Sequence, residues 1–429
     1  MLDIEFIRSH APEVKEAIRR KRFDLDLDQL LAVDDERRSA IQETDAARQR
    51  RNELSGLIPK LPATERPAAV AEAKALRDRI AELEKVLERS QVEFERLMLL
   101  VPSVPLPEVP DGGSDDDNVE VRRFGEPTRL DFPARDHVEL CALLELVDFD
   151  GPRKYAGSRA YALKGDGVLL EQAVINFALQ HVVSKGFTAV APPVMVRESA
   201  LQGTGFFPLG RDDTFTLERD ELYLVGTSEV GLVSLHREQI LDEEQLPLRY
   251  VGLSPCFRRE AGAAGRDTKG LYRVYQFNKV EQVVICTNDP EVSAREHQLI
   301  LGNAEEILRA IGIPHRVAVA CAGEMGMGQV LKHEIESWMP SRGKFSETHS
   351  CSTLHEFQAR RSLIRWRDPN GKARYCHTLN NTAIASPRIL IPILENFQQA
   401  DGSVVIPEVL RPFLGGRERI EPKRQRMAM

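Results

Sequence analysis

The chain has 429 residues, with 58 Lys and Arg against 66 Asp and Glu, and a formal net charge of −8. At roughly 100–200 residues per domain this length predicts two to four domains, and 42% apolar residues suffice for a sizeable core. The sequence contains no apolar run of about 18 residues and no apolar stretch near its charged start, which argues against a membrane span or a secretory signal. Six cysteines without a Cys-x-x-Cys pair fit a reduced, cytoplasmic chain better than a disulfide scaffold or a structural zinc finger.

Residues 29–101 have the spacing of two long amphipathic helices. Pro59, Pro62 and Pro67 interrupt them, so the pattern predicts an antiparallel helical hairpin. About thirty residues per helix give an arm about 45–50 Å long, which must project from a body. The predicted seam positions are Leu30, Val33, Arg37, Ala40, Thr44, Ala47, Arg51, Leu54 and Ile58, then Ala73, Leu76, Ile80, Leu83, Leu87, Ser90, Phe94, Leu97 and Val101.

The residues of this arm do not decide its function. Its basic side chains, among them Arg48, Arg50, Arg51 and Lys60, alternate with acidic ones, as on an ordinary solvated face. A dimerisation coil, a plain surface helix pair and a surface for a polyanion are all compatible with this pattern.

A segment rich in Pro, Gly and Asp at 102–118 predicts a linker and a domain boundary. Beyond it, hairpins outnumber βαβ units, and neither GxGxxG nor GxxxxGK[ST] occurs, so we predict an α+β fold with an antiparallel sheet flanked by helices. The residues 169–186 have helical spacing. Strands are predicted within 155–165, 221–230, 248–260, 271–286 and 315–323.

The stretch PCFRREAGAAGRDTKGLYRVYQFNKVEQV, at 255–283, predicts a strand, a glycine-rich loop and a returning strand. Arg258 and Glu260 lie two apart on the predicted strand and should therefore point to the same face. A guanidinium beside a carboxylate can bind a ligand that carries both a phosphate and an amino-bearing base. The loop 261–270 suits a lid over an anionic substrate or a solvated hairpin tip, and the residues favour neither.

The same stretch resembles motif 2 of class II aminoacyl-tRNA synthetases, in the form found in bacterial-type seryl-tRNA synthetases. TLNNTAIASPRILIPILENFQQADGSVVIPEVLRPFLGG resembles motif 3, and AVAPPVMV resembles the end of motif 1. GTSEVGL and HSCSTLHEFQARR resemble two further segments of that family. The resemblance runs from end to end, since the family also carries an N-terminal helical-hairpin arm.

The resemblance implies an ATP-dependent ligase that activates L-serine to seryl-adenylate and transfers serine to tRNA(Ser). It implies an N-terminal tRNA-binding arm domain at 1–105 and a class II catalytic domain with an antiparallel sheet at 106–429. It also implies a cytoplasmic homodimer without membrane attachment, and Mg²⁺ bound with ATP. No tightly bound transition metal is expected, because Cys321, His333, Glu347, His349 and Cys351 lack zinc-type spacing.

Residue roles follow from the matched motifs. Arg258 would hold the α-phosphate and the serine carboxylate, and Arg388 would lie against adenine and reach the distal phosphates. Glu260 would contact the adenine side, and Val274 and Phe277, on the returning strand, would pack on the base. The ATP-binding set is completed by Arg259, Glu347, Thr348, His349 and Ser350, of which Glu347 and Ser350 would hold Mg²⁺. The serine-binding set is Thr227, Ser228, Glu229, Arg258, Glu281 and Thr382, and the tRNA-binding candidates are Arg48, Arg50, Arg51 and Lys60.

Three positions depart from the family pattern. Glu324 stands where Asp is typical, the lysine expected near Leu331 is shifted or lost, and His349 replaces a small residue beside Glu347. The departures are compatible with compensated drift or with a specialised paralogue. Two rival functions also remain at this point, a seryl-adenylate former with another acceptor and a non-catalytic tRNA-binding protein.

Overall fold

The computed structural model describes residues 1–261 and 269–422. The chain forms two compact units, Met1–Pro102 and Ser103–Met429. Among the described residues, no helix combines the length and the apolar character needed to cross a bilayer.

The N-terminal unit is built around a helical hairpin. Its helices are α1 (Ile4–Ser9), α2 (Ala11–Arg20), α3 (Leu27–Leu57) and α4 (Arg66–Met98), with a 3₁₀ turn at Ile58–Lys60. The 31 residues of α3 give a length of about 46 Å. Ion pairs between the two long helices join Glu43 to Arg79 and Arg50 to Glu72, so the helices run antiparallel. The predicted hairpin is confirmed.

The weak first half of the seam has a physical reason. Every predicted seam position is buried or half-buried, but between Val33 and Arg37 the fully buried side chain is that of Asp34. Asp34 pairs with Arg8 at 2.6 Å and with Arg37 at 2.8 Å. Burial opposes its charge, yet the two guanidinium groups prevail and hold the pKa of this carboxyl below its usual value. A paired charge thus takes a place in the seam where a periodicity count expects an apolar residue.

The helices of the C-terminal unit surround one large sheet and several small ones. Its helices are α5 (His137–Leu143), α6 (Asp150–Ala156), α7 (Asp166–Ser184), α8 (Glu198–Thr204), α9 (Glu229–Ser234), α10 (Pro290–Ile311), α11 (Phe357–Ser362) and α12 (Leu390–Asn396). The strands among its described residues are β1 (Val119–Phe124), β2 (Val147–Asp148), β3 (Ala162–Leu163), β4 (Thr188–Val190), β5 (Met195–Arg197), β6 (Thr216–Leu217), β7 (Leu222–Leu224), β8 (Ile240–Asp242), β9 (Leu248–Phe257), β10 (Gln276–Cys286), β11 (His315–Val319), β12 (Leu331–Met339), β13 (Lys344–His355), β14 (Arg365–Arg367), β15 (Ala373–Tyr375), β16 (His377–Ser386), β17 (Val404–Val405) and β18 (Arg419–Ile420).

The main sheet, within the described residues, has eight strands in the order β1-β11-β12-β13-β16-β10-β9-β4. All neighbours pair antiparallel except β4 and β9, which are parallel at one edge. Side chains of α7, α10 and α12 pack on the sheet around Val174, Ile300 and Ile391, all fully buried. The predicted antiparallel α+β fold is confirmed.

Two of the predicted strands are wrong in part. In 155–165 the chain ends α6 at Ala156 and forms only the two-residue β3, and in 221–230 the three-residue β7 gives way to α9 at Glu229. Both segments are too short to show a period, so their β-branched and aromatic residues misled the assignment. All six cysteines are reduced and buried, at positions 141, 256, 286, 321, 351 and 376.

Candidate active site

An open cleft with about 620 Å³ of space lies over β10, β13 and β16, the central strands of the main sheet. Its wall brings together residues from the segments matched to motifs 2 and 3, although about 100 residues separate these segments in the chain. The described lining residues are Arg258, Glu260, Leu271, Tyr272, Val274, Phe277, Lys279, Glu347, Thr348, His349, Ser350, Thr382, Ala385, Ser386, Pro387 and Arg388. All predicted ATP-binding residues except Arg259 are therefore in one place.

Arg258 and Glu260 reach the cleft by a different route from the predicted one. Strand β9 ends at Phe257, and Glu260 has a φ of 53°, so the two residues do not alternate along a strand. The chain turns after Phe257 and brings both side chains to the cleft, where Glu260 accepts a 2.8 Å hydrogen bond from Arg273 Nη1. The guanidinium of Arg258 lies 5.3 Å from the centre of the Phe277 ring. Sequence spacing placed the pair correctly for the wrong reason.

The returning strand also begins later than predicted. Since β10 starts at Gln276, Val274 precedes the strand and only Phe277 lies on it, although both line the cleft. Of the loop proposed as a lid, 261–270, the residues 262–268 lie outside the described residues.

Arg388 and Glu347 mark the opposite side of the cleft. Arg388 follows the end of β16, donates through Nη2 to the Tyr272 carbonyl at 3.2 Å, and holds Nη1 3.5 Å from Glu347 Oε2. The Glu347 side chain is 43% exposed, and although the surrounding protein partly desolvates its charge, Lys332, Arg388 and further arginines prevail and keep its pKa below the usual value. Glu347 is thus an anionic oxygen donor at neutral pH, in the same wall as the Ser350 hydroxyl. Carboxylate and hydroxyl oxygens are the ligand type that Mg²⁺ prefers.

His349 has a structural role that its position in the sequence did not indicate. Opposite β10, strand β16 has an irregular register in which Val280 faces Ile384 and Glu281 faces Thr382, so Ala383 is the extra residue. His349 Nε2 lies 3.1 Å from the Ala383 carbonyl, which can only accept, and Nδ1 lies 2.9 Å from Thr348 Oγ1. Burial lowers the pKa of His349 to about 3, so the ring is neutral. The histidine at this position therefore donates a hydrogen bond to the bulged carbonyl.

The other two departures lie in contact with each other. Lys332 Nζ donates to the Glu324 carbonyl at 3.3 Å and pairs with Glu334 at 2.5 Å. Lys332 is also one of the cations that stabilise the charge of Glu347. The shifted lysine therefore still supplies positive charge beside the predicted metal-binding carboxylate.

The predicted serine-binding residues divide into two groups. Arg258 and Thr382 line the cleft, whereas Thr227, Ser228, Glu229 and Glu281 are buried and lie outside its described wall. Glu281 connects with the cleft through Thr382, whose Oγ1 donates to Glu281 Oε2 at 3.4 Å. The Ser228 hydroxyl has no hydrogen-bond partner among the described residues.

Glu229 is a buried carboxyl with an unusual affinity for its proton. Its Oε1 accepts hydrogen bonds from Gln358 Nε2 at 2.7 Å and from Asn380 Nδ2 at 2.8 Å. Burial and the nearby charge of Glu281 nonetheless raise the pKa of Glu229 to about 7. A positive charge placed near these two carboxyls would favour the ionised form.

Among the lining residues that the sequence analysis did not predict as site residues, one is charged. Lys279 Nζ lies 2.6 Å from Glu281 Oε2, and both side chains are almost completely buried. The signal was present, because Phe277, Lys279 and Glu281 alternate along β10 and so share one face.

The candidate tRNA-binding residues of the arm are partly engaged in the hairpin itself. Arg48 pairs with Glu84 and Arg50 with Glu72, each at 2.8 Å, while Arg51 donates to Asn52 Oδ1 at 3.2 Å. Lys60 is exposed in the 3₁₀ turn between the helices. Such exposed ion pairs contribute little to stability and can exchange partners at low cost.

The residues suggested by sequence as a loose metal cluster do not converge on one point. His333 Nδ1 lies 2.8 Å from His297 Nε2, and Cys351 Sγ lies 3.7 Å from His297 Nδ1. Across residues 1–261 and 269–422, no three His, Cys, Asp or Glu side chains are arranged to hold a metal ion.

Comparisons with known proteins cover both units. A family model described as the seryl-tRNA synthetase N-terminal domain matches residues 1–105, and one described as the tRNA synthetase class II core domain (G, H, P, S and T) matches residues 214–397. The serine-tRNA ligase of Deinococcus radiodurans is 47% identical over 97% of this chain and 98% of its own length. That of Clostridium tetani is 41% identical over 98% of this chain and 100% of its own length.

Solved structures agree with these relatives. The seryl-tRNA synthetase from Pyrococcus horikoshii, complexed with ATP, has a TM-score of 0.92 and 38% identity, covering 99% of this chain and 100% of its own. The cytoplasmic serine-tRNA ligase of Naegleria fowleri, in complex with AMP, has a TM-score of 0.86 and 28% identity, covering 99% of each chain.

Proposed function

The chain belongs to the seryl-tRNA synthetases of class II and is an ATP-dependent serine-tRNA ligase, and from this premise we propose which of its residues perform the reaction. The proposal is carried by one observation, the convergence of Arg258, Arg388 and Glu347 on a cleft whose floor leads to the buried carboxylate of Glu281. Cationic groups for a triphosphate thus lie beside an anionic pocket for an ammonium ion.

In the first step, a serine carboxylate oxygen attacks the α-phosphorus of ATP, the bond to the bridging oxygen breaks, and pyrophosphate leaves. No proton needs to be removed from the carboxylate, so the residues act by positioning and by stabilising charge. Arg258 is the residue we assign to the α-phosphate and the serine carboxylate. Its side chain is supported by the face of Phe277, 5.3 Å away, which limits its freedom in the cleft.

Arg388 and Glu347 serve the rest of the nucleotide in this proposal. Arg388 is fixed by the Tyr272 carbonyl and would lie against the base and reach the distal phosphates. Glu347 and Ser350 would hold Mg²⁺ with the triphosphate, and that ion would neutralise charge on the pyrophosphate group as it leaves. Glu260, Val274 and Phe277 form the adenine side, with Arg259, Thr348 and His349 in its surroundings.

Serine is selected by the buried end of the site. Its ammonium requires negative charge, which Glu281 and Glu229 supply, and its hydroxyl requires hydrogen-bond partners such as Thr382, Thr227 and Ser228. A site that hydrogen-bonds a hydroxyl rejects an analogue without it by roughly 10⁴–10⁵-fold. Alanine is therefore rejected by chemistry, whereas threonine must be rejected by lack of space.

We assign residues 1–105 to tRNA(Ser) binding and residues 106–429 to catalysis. A hairpin of about 46 Å with paired surface arginines can bind phosphates of a protruding RNA arm through charge and shape, without reading base sequence. Changing Arg48, Arg50 and Arg51 together should weaken tRNA binding, with the fold-loss larger at low salt than at high salt, because a variant that contacts fewer phosphates has an affinity that depends less steeply on salt. Equal loss at both salt concentrations would contradict this assignment.

We also propose that the chain functions as a homodimer. Helix α7 carries the exposed apolar side chains Val168, Leu169 and Val183, and Met195 is 53% exposed on β5. Apolar side chains left exposed on neighbouring elements are typical of an interface, and an obligate one should bury more than about 2,000 Å². An active monomer in sedimentation at micromolar concentration would contradict it.

The central test is serine-dependent exchange of pyrophosphate into ATP, measured with and without tRNA. We expect exchange with serine in the absence of tRNA, slow exchange with threonine and none with alanine. Addition of tRNA(Ser) should then yield charged tRNA. Exchange without charging would indicate another acceptor, and absence of exchange would indicate a non-catalytic protein, so either result overturns the proposal.

A further inference from the structure

We propose that Lys279 is a positioning residue for serine activation, whose ammonium group fixes Glu281 and sets the charge of the serine pocket so that it accepts one further ammonium ion. The inference rests on the proposed function, because it assigns serine to the pocket that contains Glu281. It concerns a residue that none of the matched motif roles includes.

The geometry comes first. Lys279 lines the cleft, yet its side chain is only 7% exposed, and its Nζ lies 2.6 Å from Glu281 Oε2. Thr382 Oγ1 donates to the same oxygen at 3.4 Å, so two groups hold this carboxylate from β10 and β16. An ion pair between long side chains on one strand face fixes the direction of the carboxylate before substrate arrives.

The charge balance gives the pair its second role. Glu229 and Glu281 contribute two carboxylates, and Lys279 contributes one ammonium, so the ionised pocket keeps one negative charge in excess. The serine ammonium supplies the missing positive charge, while the serine carboxylate is left to Arg258 outside the pocket. A second ammonium ion entering the pocket would be repelled. Without any added ammonium ion, the pocket would keep one uncompensated buried charge, which is costly in a low-dielectric site.

Charged and titratable groups face this pair from each neighbouring element. Burial and the negative charge of Glu281 raise the pKa of Glu229, whereas the positive charge of Lys279 lowers it. Removal of Lys279 should therefore move the ionisation of Glu229 further upward. The surrounding groups are Glu229 on α9, Cys256 on β9, Thr382 on β16, Cys351 on β13 and Arg258 beyond β9.

The test compares wild-type enzyme with Lys279→Met and Lys279→Arg in serine-dependent pyrophosphate exchange between pH 5.5 and 8. A matched control is Lys185→Met, which removes a lysine that pairs with Glu306 at the same distance of 2.6 Å, outside the cleft. For Lys279→Met we expect kcat/KM for serine to fall roughly 10²-fold, with KM for ATP within about threefold of wild type. The midpoint of the pH dependence of kcat/KM for serine should move upward.

Lys279→Arg should recover at least about tenfold of this loss and restore the pH midpoint, and Lys185→Met should behave as wild type. The proposal is overturned if Lys279→Met keeps serine kcat/KM within about threefold, or if it impairs serine and ATP equally without moving the pH midpoint. If Lys279→Met does not fold, Lys279→Gln is measured by the same criteria. Failure of the wild-type enzyme to exchange pyrophosphate with serine would instead overturn the proposed function.

Discussion

Replacing Glu229 by Gln should make the ligand-free protein more stable while it impairs serine activation. The substitution keeps the side-chain size and the acceptor oxygen that receives hydrogen bonds from Gln358 and Asn380. It removes a carboxylate whose pKa is raised from 4.5 to about 7 by burial and by the charge of Glu281. The folded protein therefore carries a charge that opposes folding at neutral pH.

The expected magnitude follows from that pKa. A carboxyl that binds its proton more tightly in the folded state favours folding at low pH, so stability falls as pH rises from about 4.5 to about 7 and stays low above. The difference between the two values corresponds to about 3 kcal/mol of unfolding free energy. With roughly 330 residues in the C-terminal unit, the unfolding entropy is about 0.7 kcal/mol/K, so the Tm changes by about 4 °C.

The assay is thermal unfolding of ligand-free wild type, Glu229→Gln and the control Glu244→Gln, whose side chain is exposed. Relative to wild type, Glu229→Gln should gain about 4 °C at pH 8 and about 1 °C at pH 5, and the control should gain nothing. Serine kcat/KM should fall roughly 10²-fold in Glu229→Gln, because the ammonium loses an anionic partner. An equal Tm at pH 8, or a gain that does not depend on pH, would refute the reasoning.

Three further predictions address the nucleotide, the arm and the core. Arg258→Ala should reduce pyrophosphate exchange roughly 10²–10³-fold, and a rate within about twofold of wild type would remove this residue from the α-phosphate. Replacing residues 29–101 by a short linker should leave exchange nearly intact but lower tRNA charging by orders of magnitude; full charging activity would show that the arm does not bind tRNA. Burial lowers the pKa of His297 to about 3 and that of His333 to about 4. Below about pH 6.5 both histidines therefore become protonated in the unfolded state but stay neutral in the folded state, which lowers the free energy of unfolding. Each should cost roughly 2 kcal/mol at pH 5, whereas Glu229 acts in the opposite sense between pH 7 and pH 5, so the histidine effect is read from the difference between wild type and His297→Asn. A variant His297→Asn whose Tm changes between pH 7 and pH 5 as the wild-type Tm does would contradict this.

The sequence predicted the long helices and strands, in which the hydrophobic pattern repeats several times. The hairpin has two helices of 31 and 33 residues, long enough for a seam to be recognised, and the strands β9 and β10 have 10 and 11. The short elements were not predictable, since two residues at β3 carry no period. Asp34 shows a further limit, because its place in the seam depends on Arg8, which comes from another helix.

The candidate site was predictable as a set of residues but not as a geometry. Motif resemblance brought Arg258, Arg388 and Glu347 together, which no spacing argument could do across three separate segments. The positive φ of Glu260 and the bulge at Ala383 depend on tertiary packing, so the route of the chain into the cleft and the purpose of His349 became evident only in three dimensions. Lys279 was missed because the resemblance implies a role for Glu281 but none for the lysine two residues before it, although both lie on the same strand.

The distribution of the buried thiols has a practical consequence for following this molecule in solution. All six cysteines belong to the C-terminal unit and are shielded from solvent, whereas Met1–Pro102 contains none. A thiol-reactive dye can label the protein only when the part of the C-terminal unit around a cysteine opens, and unwinding of the hairpin exposes no thiol. Labelling rates therefore report the opening of the C-terminal unit alone, and comparing them with circular dichroism, which reports the helices of both units, shows whether helix is lost before the buried thiols become accessible.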